Sequence, residues 1–287
     1  MKHQHSVQVG PIGFRIGSPW AAPIAQLKTL YAGYPPPTGG ITEHLVRLEP
    51  TSAIRRWIKP SIQIAGGYTL AEAAPLPLRM GLIAAEMAMN LQVALGERHY
   101  LLLHAATVAR DGKAIILTGE SGSGKSTLSA LLMTEGWRFM GDEFALLDPE
   151  TGLLHPFPRP VSLKNEAVAV MGARLPDTRF GPMMKDTPKG DIRHLIPDAK
   201  SVKAMHEPAT PIAILFPSFG QSMDVRAMGQ GEVFVRLTQA STNYTALGER
   251  GFHALTNLVK DTPAIAIDYP DTAGGLSLVE QVWAERQ

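Results

Sequence analysis

Gly119-Glu120-Ser121-Gly122-Ser123-Gly124-Lys125-Ser126 fits the spacing G-x-x-x-x-G-K-[ST], and each fixed position answers a need of phosphate binding. Glycines let successive backbone N–H groups turn toward phosphate oxygens with no Cβ in the way. Lys125 offers a mobile point charge for the outer phosphates. The Ser126 hydroxyl is a hard oxygen for Mg²⁺, and a helix starting here adds the positive end of its dipole. The expected nucleotide-contacting run is Gly119 to Thr127.

Asp142 and Glu143 follow Lys125 by the length of one short helix and one strand, which predicts a strand adjacent to the loop and an acid near the metal. Two neighbouring acids can divide phosphoryl transfer, one holding Mg²⁺ and the other taking a proton from the attacking hydroxyl. On a strand they point to opposite faces unless the chain bends, and Gly141 permits a bend. The alternative is a solvated pair at a strand end. His104, in the apolar run "LLLHAAT", reads equally as a hydrogen-bonded core residue or as a catalytic neighbour of the loop. In the Pro- and Gly-rich middle, Arg159, Lys164, Lys189, Arg193 and His194 are candidate phosphate clamps, each against the alternative of an ordinary solvated charge.

The elements that must position these residues are legible in outline. "KAIILTG" reads as a strand entering the loop, "KSTLSALLMTEG" as a helix leaving it and ended by Gly136, and "YLLLHAATVA" as the hairpin partner across Asp111-Gly112. Before them, Val7, Val9, Ile12, Phe14 and Ile16 alternate around Gly10-Pro11 as strands. "YPPPTGG" reads as a loop, "EHLVRLE" and "SIQIAGGYTL" as strands, and residues 78 to 95 as a helix. After them come "PIAILFP" and "EVFVRLTQ" as strands, "ERGFHALTNLVKD" as a helix, "PAIAIDYP" as a strand and "LSLVEQVWAE" as a closing helix. The class is mixed α/β.

The chain of 287 residues carries 27 Lys and Arg against 26 Asp and Glu, so its charge gives no reason to expect nucleic acid or an anionic membrane as partner. The lack of cysteine excludes disulfides, thiolate metal sites and cysteine nucleophiles. No signal-like apolar run opens the sequence, and "MGLIAAEMAMNLQVAL" is interrupted by Glu86, Asn90 and Gln92, so a cytoplasmic protein without membrane segments is expected. LSGGQ-like and N-K-x-D patterns are absent, which sets transporter ATPases and GTPases aside.

The stretch "HAATVARDGKAIILTGESGSGKSTLSALLMTEGWRFMGDE" resembles the catalytic core of HPr kinase/phosphorylase, whose fold is shared with phosphoenolpyruvate carboxykinase. "FPRPVSLKNEAVAV", "DTPKGDIRHL" and "NYTALGERGFHAL" resemble the group called HPr kinase-related kinase A over nearly the whole chain. The resemblance implies a P-loop (Walker A) kinase domain with a mixed sheet over residues 96–287, preceded by a small strand-rich N-terminal region with a closing helix over 1–95. It implies ATP and Mg²⁺ as cofactors, Asp142 as the proton-accepting acid, metal binding by Ser126, Asp142 and Glu143, and a supporting role for His104. Lys164 and Lys189 lie in motifs shared with that group and join the expected nucleotide contacts. Homo-oligomeric assembly is implied as well.

Three departures stand out. Glu143 replaces an aspartate, Ala105 replaces a glycine, and the second glycine-and-arginine signature tied to the reverse reaction is absent. The expectation is a kinase that moves the γ-phosphoryl group of ATP to a hydroxyl, serine on a small protein or peptide. A small-molecule acceptor on the same fold and a nucleotide-responsive binding module are the alternatives.

Overall fold

The structure, a computed structural model, describes residues 1–70 and 73–286. The alternating start of the chain forms β1 (His3–Val9) and β2 (Ile12–Ser18), whose Val7, Val9, Ile12, Phe14 and Ile16 are all buried. A helix not expected from the sequence, α1 (Ala21–Leu30), buries Ile24, Leu27 and Leu30 and supplies the crossover that the parallel β2–β3 pair needs. With β3 (His44–Pro50), β4 (Ser61–Gly66) and β5 (Leu76–Pro77) the strands form one five-stranded sheet in sequence order. The expected helix is α2 (Gly81–Gly96), entered through a 3-10 turn at Leu78–Met80, and it packs on β3 and β4.

Next come β6 (Leu101–Leu103), β7 (Ala105–Arg110), β8 (Lys113–Thr118), α3 (Lys125–Thr134), β9 (Arg138–Gly141), β10 (Ala145–Leu147) and β11 (Leu154–His155). Asp111 and Gly112 both take positive φ, 50° and 74°, as a two-residue hairpin turn of the twist-matched kind requires. The apolar run at 100 to 109 is two strands rather than one. β6 pairs with β10 and β7 with β8, in different sheets, and the break falls at His104, whose N–H donates to Ala240 O at 2.8 Å. Uniform apolarity marks burial on both faces but not the point where a chain changes sheet.

β12 (Val161–Lys164), α4 (Glu166–Gly172), β13 (Met184–Thr187) and β14 (Gly190–Leu195) follow, with a sheet order of β12-β14-β13. Then come α5 (Ala199–Lys203), β15 (Thr210–Phe219), β16 (Asp224–Ala227), α6 (Gln230–Ala240), α7 (Tyr244–Leu247), α8 (Glu249–Asp261), β17 (Ala264–Tyr269) and α9 (Thr272–Ala284). "EVFVRLTQ", read as a strand from its β-branched alternation, is the body of α6. Val233 and Leu237, four residues apart, are its buried pair, a helical spacing that outweighs local preference once the segment lies on a sheet.

The chain divides into two compact units: residues 1–97 with 162–196, and residues 98–161 with 197–287. Residues 162–196 thus group with the N-terminal stretch, where the resemblance implies one domain over 96–287. The second unit is built on a six-stranded mixed sheet of order β16-β17-β15-β8-β7-β9. Leu128, Leu132, Leu278 and Val279 from α3 and α9 cover one face, over Leu117, Leu215 and Ile267. Val233, Leu237, Leu255 and Leu258 from α6 and α8 cover the other, over Ile116 and Ile214.

Candidate functional site

β8, an interior strand, delivers the glycine-rich loop at the edge formed by the carboxyl ends of β8, β15 and β17, and α3 carries it away. Gly119, Gly122 and Gly124 have φ of 146°, 90° and 96°, values that L side chains rarely adopt, so the three glycines are what lets the loop close on itself. The Lys125 ammonium is folded into it, donating to Gly119 O and Glu120 O at 2.8 Å each. Ser126 and Thr127 stand half-buried in the first turn of α3, while Glu120, Ser121 and Gly122 are exposed. The Ser123 hydroxyl is buried with no hydrogen-bond partner. A helix N-terminus, turned backbone amides and an ammonium together suit an anion.

The two acids arrive at the same edge by a different route from the one expected. β9 pairs with β7, not with the loop strand β8, and Asp142 follows the end of β9 rather than lying on it. β8 and β9 each run antiparallel to β7 and therefore parallel to each other, so both end where β7 begins. Register places Thr118 opposite Ala105 and Gly141 opposite Thr107. Two strand spacings, about 10 Å, separate the two chains there. Asp142 is buried at 6% exposure, and a Cβ on Gly141 would stand 3.1 Å from the carbonyl oxygens of both Phe144 and Phe157, so a larger residue before the acid would crowd this backbone.

His104 closes the gap between the two. Its Nδ1 lies 3.2 Å from Glu143 O and 4.0 Å from Glu143 Oε2, and its carbonyl accepts from the Thr118 hydroxyl at 3.2 Å. The ring is exposed, which removes the core-residue reading. The structure thus gathers Gly119 to Thr127, His104, Asp142 and Glu143 at one sheet edge. Lys164 ends β12 and Lys189 sits in the exposed β13–β14 turn, both in the first unit. Arg193, also in that unit, is committed to Asp177 at 2.7 Å and to Gly181 O at 2.9 Å, and His194 is buried there. Arg159 is buried in the second unit, beside the Phe157 ring.

Other residues at this edge were missed. An open cavity of about 610 Å³ lies beside the loop, with His104, Thr118, Phe216, Arg236, Gln239 and Ser241 in its wall. A smaller one of about 210 Å³ involves Ser123, Ser218, Arg226, Arg236 and Asp268. Arg226 and Arg236 share the single carboxylate of Glu232, at 3.5 and 3.0 Å, and Glu120 and Asp268 also line the smaller cavity, so its wall carries both signs of charge. Tyr269 backs the loop: a Cβ on Gly124 would meet its Oη at 2.9 Å, and burial pushes its phenol up to about 12. The available signal was the strands themselves, because β15 and β17 run parallel to β8 and must end at the same edge, where ligands of such sheets gather.

Residues 78–168 match the model of a family described as SynChlorMet cassette protein ScmC, less than half of the chain. The chain is also similar to the HPr(Ser) kinase/phosphatase from Coxiella burnetii, at 15% identity and a TM-score of 0.30, over 64% of this chain and 98% of that one. No curated protein matches it. Neither likeness places the chain in a family. No helix among the described residues is long and apolar enough to cross a membrane.

Proposed function

We propose that the chain is an ATP- and Mg²⁺-dependent kinase that transfers the γ-phosphoryl group to a hydroxyl, serine on a small protein or peptide. The observation that carries this reading is the common edge: β8 and β9 flank β7 in parallel and release the glycine-rich loop, the Asp142-Glu143 pair and His104 side by side. Lys125 exchanges its bonds to Gly119 O and Glu120 O for the outer phosphate oxygens, and the loop amides hold the rest. Asp142, buried beside the loop, accepts the acceptor's proton.

Among the described residues no cluster of three or more His, Asp or Glu could hold a metal by itself. Mg²⁺ needs no such cage, since it keeps several waters and takes one or two protein oxygens beside phosphate. The Ser126 hydroxyl and one carboxylate of the pair fit that donor set. When bound, the ion would neutralise charge on the phosphate oxygens. His104, against Glu143, orients that second carboxylate.

The cavity of about 610 Å³ beside the loop supports a second reading, a small-molecule alcohol as acceptor, because its volume lies in the range of small-ligand sites. Labelled ATP incubated with extract proteins and, separately, with metabolite fractions tells the two apart. Label is expected on serine, and label in metabolites alone would remove the protein-kinase reading. In the same assay Asp142→Asn keeps ATP binding and loses roughly a hundredfold or more in transfer. Full transfer by that variant would refute the role given to Asp142.

A further inference from the structure

The reacting groups all stand on one side of the loop strand: β7 and β9, with His104, Asp142 and Glu143, lie to one side of β8, and β15 and β17 lie to the other. A nucleotide whose terminal phosphate faces Asp142 across the loop must send its nucleoside toward β15 and β17. The last residue of β15 is Phe219, bonded to the loop itself, its N–H donating to Ser123 O at 3.3 Å. Alternation along β15 and β17 puts Phe219 and Tyr269 on the face where α3 begins, and a Cβ on Gly124 would stand 3.2 Å from Phe219 Cβ.

Phe219 meets Tyr269 edge-on, ring centroids 5.9 Å apart at 68°, yet 47% of it is exposed. Met223, four residues on, is 57% exposed, and its Cε lies 3.2 Å from where a Cβ on Gly274 would stand. An aromatic ring whose only task was to prop the loop would gain most by burying both faces. We propose that Phe219 is the platform on which the purine ring of the bound nucleotide stacks.

This inference rests on reading the loop as a triphosphate grip, and the two can fail separately. Binding of Mg-ATP and of magnesium tripolyphosphate, which has the phosphates and no base, is measured for the wild-type chain and for Phe219→Ala. The expected result is a loss on the order of tenfold for ATP with tripolyphosphate unchanged. Phe219→Trp is expected to keep ATP affinity, and its added indole emission to be quenched by ATP and not by tripolyphosphate. That second variant decides the matter should the alanine protein fail to fold. Equal losses for both ligands would make Phe219 a prop for the loop and overturn the platform, as would unchanged ATP binding or quenching by both ligands. If the wild-type chain binds neither ligand, the grip itself is refuted and the platform falls with it.

Discussion

At the scale of single residues, the loop is shaped by what its glycines leave out. Gly124 has both a left-handed backbone and no room, with the Tyr269 hydroxyl 2.9 Å from the position a Cβ would take. Gly124→Ala is therefore expected to cost about 1–3 kcal/mol in stability and to weaken ATP binding by displacing the loop. Adding Tyr269→Phe removes the oxygen that meets the new methyl but not the backbone strain, so it should recover part of the loss, not all. Thermal melts of the single and double variants check this. The importance of Gly124 was legible from spacing alone. Its collision partner was not, because Tyr269 stands at the far end of the chain and reaches the loop only through two parallel strand pairings.

Among the elements, α9 is fastened to the β7–β8 hairpin by one arginine. Arg110 donates to both Glu280 oxygens, at 2.9 and 2.8 Å, and lies 4.0 Å over the Trp137 ring, while the Trp137 indole N–H donates to Glu280 at 2.8 Å. The Arg110 bonds, aided by Trp137, hold the Glu280 carboxyl below its ordinary range against a smaller opposing push from burial. A group held down in this way contributes stability that is present above its ordinary value and is lost as pH falls through its folded value. Glu280→Gln should thus lower stability at neutral pH by about 1 kcal/mol, a figure discounted because the side chain is 44% exposed, and the difference should shrink as pH falls below the ordinary carboxylate range. Denaturant titrations at pH 7 and pH 3.5 test it. Element type was readable wherever periodicity was unmixed, as in β8, α3, α8 and β17. It failed for α6, where valines alternate but the fully buried pair is spaced i, i+4, and at His104, where one apolar run serves two sheets.

For the whole molecule, the site residues gathered at the loop's edge come from one compact unit with cores on both sides of its sheet, and the proposed ligand should register there. Hydrogen exchange with Mg-ATP is expected to slow at the amides of 120–127, with Lys125→Ala abolishing the protection; no slowing in the wild-type chain would contradict the grip. The sequence by itself determined the chemistry on offer: a glycine spacing that frees backbone amides, a lysine and a serine in register with them, and an acid pair one helix and one strand later. Those facts are local, set by steric freedom and by which groups carry charge. Only the tertiary structure decided that β9 lies beyond β7, that His104 joins Glu143, and that Phe219, Tyr269 and two arginines share the edge. Strand order and crossover are settled by burying both faces of a sheet at once, a condition on residues distant in the chain that no single stretch encodes.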